Sequence, residues 1–159
     1  MDEKKLELLR DFSSYFESAY NFPPLTSKIY TYLLIEIERE GVNFDELVEV
    51  FNASKSSVSN SLNFLTQINY IEYFSKIDCR KRLYRVAPEN MLIRLQKISM
   101  ILEQEKQLTE KFKSYALDLK TNPTDLSIQK CDIYTDHLES AVKQLNKTIK
   151  KLENLTENT

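Results

Sequence analysis

Residues 43–65, with the sequence NFDELVEVFNASKSSVSNSLNFL, predict two short helices joined by a tight turn. The first helix begins after Asn43, and Glu46 follows that residue at the spacing of a capping box. Ser54 is a good N-cap for the second helix, because its hydroxyl can accept a backbone hydrogen bond. The apolar positions of the second helix recur at i, i+4 and i+7 and form one inward face of Val58, Leu62 and Leu65. The segment therefore predicts a helix-turn-helix.

Two more helices are predicted upstream of this motif. Apolar residues at helical spacing predict the first over residues 2–20, and the prolines that follow terminate it, since proline lacks a backbone donor. We expect the second helix to be capped by Thr26 or Ser27 and to run to about Glu40, with Gly41 as its C-terminal stop.

The sequence period changes after Asn69, which is expected to end the preceding helix as a left-handed C-cap. Residues 70–74 and 83–86 are rich in aromatic and branched side chains. The polar segment between them predicts a hairpin with a long tip. A helix-turn-helix followed by a hairpin is the order of a winged helix-turn-helix.

From Pro88 onward the pattern is helical again, with a break at Asn122-Pro123. The two long amphipathic helices cannot easily hide both of their apolar stripes, so we expect them to pack against a second copy of the chain. The predicted fold is mainly α with a small β wing. It comprises an N-terminal helix for dimerisation or support (1–25), a winged helix-turn-helix domain (26–88) and a helical dimerisation region (89–159).

Charge is distributed unevenly along the 159 residues. The net charge is −2, yet residues 1–52 sum to −6, residues 53–85 to +4 and residues 86–159 to zero. A basic island in an acidic chain indicates one surface that meets a polyanion, although chance clustering would leave the same imbalance.

The composition excludes several functional classes. A single glycine excludes a Gly-rich phosphate loop, and one histidine with two cysteines cannot supply a Cys/His-rich zinc site. No nucleophile–base motif surrounds the histidine, so we expect neither catalysis nor a cofactor or metal. The N-terminus lacks the apolar run of a signal peptide and no apolar stretch is long enough for a membrane span, which predicts a cytoplasmic protein with no membrane partner.

The outward face of the helix that follows Ser54, which we call the recognition helix, is polar. No Asp or Glu occurs between residues 52 and 71. Small polar and cationic side chains suit base edges and phosphates in the major groove of double-stranded DNA. The predicted contacts of this helix are Ser54, Lys55, Ser56, Ser57, Ser59, Asn60 and Asn63. The hairpin tip would place cations at the adjacent minor groove, and its predicted contacts are Lys76, Asp78, Arg80, Lys81 and Arg82.

The run from Ile29 to Val86 resembles the MarR superfamily of bacterial repressors, and more closely its GbsR-like branch. The resemblance rests on Phe44-Asp45-Glu46-Leu47, on the run from Ser54 to Leu62 and on Asp78-Cys79-Arg80-Lys81-Arg82-Leu83-Tyr84. It implies a homodimeric transcriptional regulator, a repressor on a pseudo-palindromic operator, whose terminal helices form the dimer. It also leaves room for a small-molecule effector that relieves repression. In such a wing the acid, here Asp78, orients the arginine, here Arg80, which enters the minor groove.

Several alternatives stay open on the sequence. The main rival function is a winged-helix adaptor that binds a protein partner and no DNA. Cys79 lies beside two cations that can lower its thiol pKa, which allows a redox role, and an incidental exposed thiol is the simpler interpretation. The residues Cys131, Asp132, Asp136 and His137 suit a loose metal site less well than a solvated helix face. Aromatic side chains that could bind a quaternary amine, or form only a core, are Tyr15, Phe16, Tyr20, Phe22, Tyr30 and Tyr32.

Overall fold

The computed structural model describes residues 2–75, 81–119 and 125–156. The chain divides into two compact units, Met1–Asn90 and Met91–Thr159. The described parts are mainly helical with one small antiparallel sheet, as predicted. The elements in order are α1 (Glu3–Tyr20), α2 (Pro24–Ile35), β1 (Val42–Asn43), α3 (Phe44–Phe51), α4 (Lys55–Gln67), β2 (Ile71–Ser75), β3 (Arg82–Val86), α5 (Asn90–Asp118) and α6 (Asp125–Thr156).

Helix α2 differs from its prediction at both ends. It begins at Pro24 without a side-chain cap, because proline already has a helical φ and its missing N–H is not needed in the first turn. Thr26 and Ser27 are therefore not caps. They are buried within the helix, where the Thr26 hydroxyl donates to Ser61 Oγ at 3.0 Å. The helix ends at Ile35, before the predicted end at about Glu40.

Gly41 is not a helix stop. The residues with positive φ in the described chain are Asn21, Asn52 and Asn69, each of which follows a helix. A Cβ on Gly41 would lie 3.0 Å from Leu83 Cβ, so this glycine lets β1 approach β3 closely. The short strand β1 was not predicted, since two residues carry no readable period.

The helix-turn-helix and the hairpin agree with the prediction. Asn43 accepts from the Glu46 backbone N–H at 2.9 Å, and Ser54 accepts from the Ser57 backbone N–H at 3.2 Å. Asn69 adopts the left-handed conformation after α4, as expected. Strands β2 and β3 pair antiparallel, and β1 joins the other edge of β3, which gives the order β1-β3-β2.

Aromatic rings fill the core of the first unit. Phe16 and Tyr30 are fully buried, with ring centroids 4.8 Å apart, and Tyr70 lies 5.4 Å from Tyr30. The Tyr30 hydroxyl donates to Asn90 Oδ1 at 3.1 Å, which satisfies its buried polar end. The core interpretation of the aromatic set therefore holds for its buried members Phe16, Phe22, Tyr30 and Tyr32, whereas Tyr15 is 47% exposed and Tyr20 is half-buried.

The second unit is an antiparallel hairpin of α5 and α6. The Ser99 hydroxyl donates to Asn146 Oδ1 at 2.9 Å, and Lys113 pairs with Asp132 nearer the C-terminal end of α5. Leu138 and Ile149 of α6 are buried, whereas Leu108, Phe112 and Tyr115 of α5 are more than 60% exposed. Within the described residues, no helix is long and apolar enough to cross a membrane.

Candidate nucleic-acid interface

Helix α4 is fixed by its apolar face. Val58, Leu62 and Leu65 are at most 1% exposed, so the opposite face of the helix must point to solvent. The predicted contact residues do lie there. Ser59 is half-buried, and the exposed ones are Ser54, Lys55, Ser56, Ser57, Asn60 and Asn63. Gln67 is exposed on the same face as Asn60 and Asn63, and sequence reasoning missed it because it lies at the last turn of the helix.

Three serines gather at the N-terminus of α4. The Ser54 hydroxyl lies 3.0 Å from Ser56 Oγ and 2.8 Å from Ser57 Oγ. Backbone N–H groups of a first helical turn lack helical partners and favour anions. Hydroxyls and N–H groups at this position can therefore donate to a phosphate oxygen.

Arg82 opens strand β3 at the base of the wing. Its guanidinium lies 4.6 Å from the centroid of the Tyr73 ring, which is itself half exposed. A cation over a tyrosine face is attracted by the ring quadrupole and loses conformational freedom. The Tyr73 ring thus restricts the position of the Arg82 guanidinium at the wing. The predicted contacts Lys76, Asp78 and Arg80, together with Cys79, lie outside the described residues.

Asp45 is an acid within this basic surface, and sequence reasoning missed its role. Its carboxylate accepts from Lys81 Nζ at 2.8 Å, which ties the first turn of α3 to the wing. The hydrogen bond from Lys81, with a smaller contribution from the charge of Lys55, lowers the pKa of Asp45. Both side chains of the pair are exposed, so the pair itself adds little stability.

Arg85, another cation of the basic island, is engaged within the sheet. Its Nη2 lies 2.6 Å from Glu72 Oε1, and its guanidinium also covers the Phe74 ring. Cross-strand pairs of this kind stabilise a hairpin. The charge of Arg85 is thus largely balanced before any ligand arrives.

A polar network holds the start of α3 in place. The two terminal nitrogens of the Arg39 guanidinium donate to the two carboxylate oxygens of Glu46, and the Tyr32 hydroxyl donates to Glu46 Oε1 at 3.1 Å. The Arg39 hydrogen bond lowers the pKa of Glu46, whereas burial and then the Glu46 hydrogen bond raise the pKa of Tyr32. Arg39 Nη1 also lies 3.7 Å from Glu36 Oε2, and Glu36 accepts from Lys5 of α1 at 2.7 Å. The network links α1, α2 and α3 within the first unit.

No group of three metal-ligating side chains occurs among residues 2–75, 81–119 and 125–156. Cys131 is half-buried, and Asp132 is paired with Lys113. The sequence hypothesis of a loose metal site at this position has no supporting cluster in the described residues.

Solved structures resemble this chain to different degrees. A crystal structure described as a transcriptional regulator is 16% identical, covers 95% of this chain and 99% of its own, and has a TM-score of 0.66. That likeness shows that the two chains share a fold. A mutant of S. aureus MepR bound to an oligodeoxyribonucleotide is 14% identical, covers 83% of this chain and 88% of its own, and has a TM-score of 0.45. A MarR/EmrR family regulator from Acinetobacter sp. ADP1 is 17% identical, covers 96% and 89%, and has a TM-score of 0.41. No protein-family model and no curated protein sequence matches the chain.

Proposed function

We propose that the protein is a sequence-specific transcriptional regulator that binds double-stranded DNA as a homodimer. The observation that carries the proposal is the outward face of α4, which is polar, free of acids and fixed by a fully buried opposite face. A helix that only faced solvent would ordinarily mix in glutamate. The solved regulator with the same fold supports the proposal as well.

The recognition helix would read bases through amides. Ser56, Asn60 and Asn63 follow one another at i, i+4 and i+7, so they share the ridge that would enter the major groove. An asparagine can form two hydrogen bonds with adenine, and serine donates to either phosphates or base edges. Lys55, Ser54, Ser57 and Ser59 flank this ridge as phosphate contacts.

The wing would follow the adjacent minor groove. By the resemblance, Asp78 orients Arg80 into that groove, and Lys76, Lys81 and Arg82 contact the backbone. If about four to six cations meet phosphates, the logarithmic salt slope is roughly −4 to −5 per subunit.

The two faces of α5 support the homodimer. The side that contacts α6 carries polar groups, with Ser99 bonded to Asn146 and Lys113 bonded to Asp132. The opposite side carries an exposed apolar stripe of Ile101, Leu108, Phe112 and Tyr115 at heptad-like spacing, and the exposed Leu119 continues it directly after the helix. A second copy is the economical partner for such a stripe, since a two-fold interface covers both stripes at once.

In this proposal, each region of the chain has the function that the sequence predicts for it. Residues 26–88 bind DNA, residues 89–159 form the dimer, and the helix in residues 1–25 supports either function. We assign the chain to the MarR superfamily and its GbsR-like branch on the motifs from Ser54 to Leu62 and from Asp78 to Tyr84. Such a protein acts in the cytoplasm as a repressor, and a small-molecule effector relieves the repression.

The first experiment selects binding sites from a random double-stranded DNA pool with the purified protein at near-physiological salt. The regulator predicts enrichment of an inverted repeat whose half-sites lie about 10 base pairs apart, because two recognition helices of a dimer span roughly 34 Å. Absence of binding even at low salt would contradict the proposal and favour the adaptor. An Asn60→Ala, Asn63→Ala double variant serves as the matched control, since it keeps the charge and removes base readout.

A further inference from the structure

A groove of about 590 Å³ lies along the α5–α6 hairpin of the second unit. Half of the positions that line it are lysines, with Lys106 on α5 and Lys143, Lys147 and Lys150 on α6. The three lysines of α6 follow one another at i, i+4 and i+7, so they project from one face of the helix. Cations therefore reach the groove from both of its walls.

The acids of the groove do not cancel this charge. Glu103 is paired with Lys106 at 3.4 Å, which leaves Glu139 as the second lining carboxylate. Within the described residues, no ion pair is formed by Lys143, Lys147 or Lys150. The row of three ammonium groups thus exceeds the remaining negative charge.

The groove also offers a neutral donor and an apolar surface. Asn146 lines it, and its Oδ1 already accepts from the Ser99 hydroxyl at 2.9 Å. This bond leaves the Nδ2 group, which can only donate, for another partner. Val142 supplies the apolar part of the lining. Ammonium groups, an amide donor and a small apolar surface together match an anion that carries an organic or extended framework.

We propose that this groove binds a small polyanion with two or more phosphate groups, such as the polyphosphate part of a nucleotide. Lysines one helical turn apart place their stems about 5–6 Å from each other, which suits several linked phosphates better than a single ion. The volume of the groove lies within the range of small-molecule sites. Binding of the polyanion does not depend on the proposed function. The role of the groove as the effector site does rest on the proposed function.

The test is a calorimetric titration of the 159-residue protein with inorganic tripolyphosphate at low ionic strength. We expect saturable binding with one site per chain and at least 10-fold weaker binding in the triple variant Lys143→Gln, Lys147→Gln, Lys150→Gln. The control triple variant Lys4→Gln, Lys28→Gln, Lys130→Gln removes the same charge from exposed helical lysines outside the groove, and we expect wild-type affinity. Absence of saturable binding, or equal weakening in both variants, would overturn the proposal.

Two further measurements identify other occupants of the groove. Light scattering that shows a dimer for the wild type and a monomer for the groove variant would assign the groove to the interface between copies. Loss of affinity for a non-specific DNA duplex in the groove variant alone would assign it to the DNA backbone. Either result overturns the polyanion site. If the protein binds tripolyphosphate but selects no DNA sequence, the site stands and the proposed function fails.

Discussion

The two units of this chain differ in how they cover their apolar side chains. Every large side chain that is less than 2% exposed in the described residues belongs to the first unit, with Tyr30 and Phe16 the largest. In the hairpin, the most buried apolar residue is Leu138 at 2%, and much of α5 is exposed. The first unit therefore has a core of its own, whereas the second places its main apolar stripe on a surface. The comparison shows that the first unit covers its apolar side chains by itself, and the exposed stripe of the second is the surface that the proposed homodimer would cover.

Removing a core ring is expected to have the largest effect. Phe16→Ala leaves a cavity beside the rings of Tyr30 and Phe22. A cavity of this kind should lower the free energy of unfolding by about 3–5 kcal/mol. Denaturant unfolding measures this change. Phe12→Ala is the control, since Phe12 on the same helix is 45% exposed and should cost much less. Equal losses in both variants would contradict a self-contained first unit.

Phe112→Glu tests the other side of the comparison. The substitution places a charge in the exposed stripe of α5, so dimerisation should weaken by 2 kcal/mol or more, about the effect of a strong interface residue. Sedimentation at several protein concentrations measures the dimer, and circular dichroism should show an unchanged helix content. A Lys111→Gln variant beside the stripe changes the net charge by the same −1 and controls for charge. A dimer unaffected by Phe112→Glu would place the interface elsewhere.

Asn60→Ala tests the exposed face of α4 without touching either core. Loss of a bidentate contact with adenine should cost about 1–3 kcal/mol for the selected operator and little for a random duplex. Fluorescence anisotropy on both duplexes gives the ratio. If affinity for both duplexes falls equally, Asn60 contacts the backbone and not a base.

Asn52 tests the turn between α3 and α4, where its φ is 45°. Asn52→Ala should lower stability by about 1 kcal/mol, because residues with a Cβ avoid the left-handed region, whereas Asn52→Gly should be neutral or stabilising. Thermal unfolding of the two variants provides the measurement. Equal stability of the Asn52→Ala and Asn52→Gly variants would show that the left-handed backbone at this position carries no strain.

The smallest expected effect is the contribution of Glu46 to the pH dependence of stability. The Arg39 contact lowers the pKa of Glu46 below its ordinary value of 4.5, so folding favours the ionised carboxylate. Its contribution is complete above that value and is lost as the pH falls through the lower folded pKa. Glu46→Gln should therefore flatten the acid side of the stability profile. An unchanged acid limb would mean that the Arg39 contact contributes nothing.

Short-range features of the fold were predictable from the sequence and long-range ones were not. Asn43, Ser54 and Asn69 act on neighbouring backbone groups, so their roles follow from a few consecutive residues. The start of α2 at Pro24 was missed, since the hydroxyls of Thr26 and Ser27 compete with proline as start signals and only packing decides. β1 and the contact between Asp45 and Lys81 join residues far apart in sequence, for which no local pattern exists.

The same reasoning applies to the candidate site. The outward residues of α4 were predictable because burial of Val58 and Leu62 fixes the opposite face. The partners of the wing cations were not, as Arg82 over Tyr73 and Arg85 beside Glu72 depend on the strand register. Charge counting alone therefore overstated how many cations of the basic island are uncommitted.

The ion pair between Lys81 and Asp45 has a consequence for how the affinity of the protein can be adjusted. In a DNA complex, a phosphate would compete with the Asp45 carboxylate for Lys81, and the acid would stay near the polyanion. Lys81 thus contributes to the free energy of DNA binding only the difference between its ion pair with phosphate and its ion pair with Asp45. The affinity for DNA is therefore lower than it would be without Asp45. A neutral residue at position 45 would raise it for every DNA sequence alike, since phosphate contacts carry no sequence information. Occupancy of DNA in general would rise while the preference for the operator stayed constant.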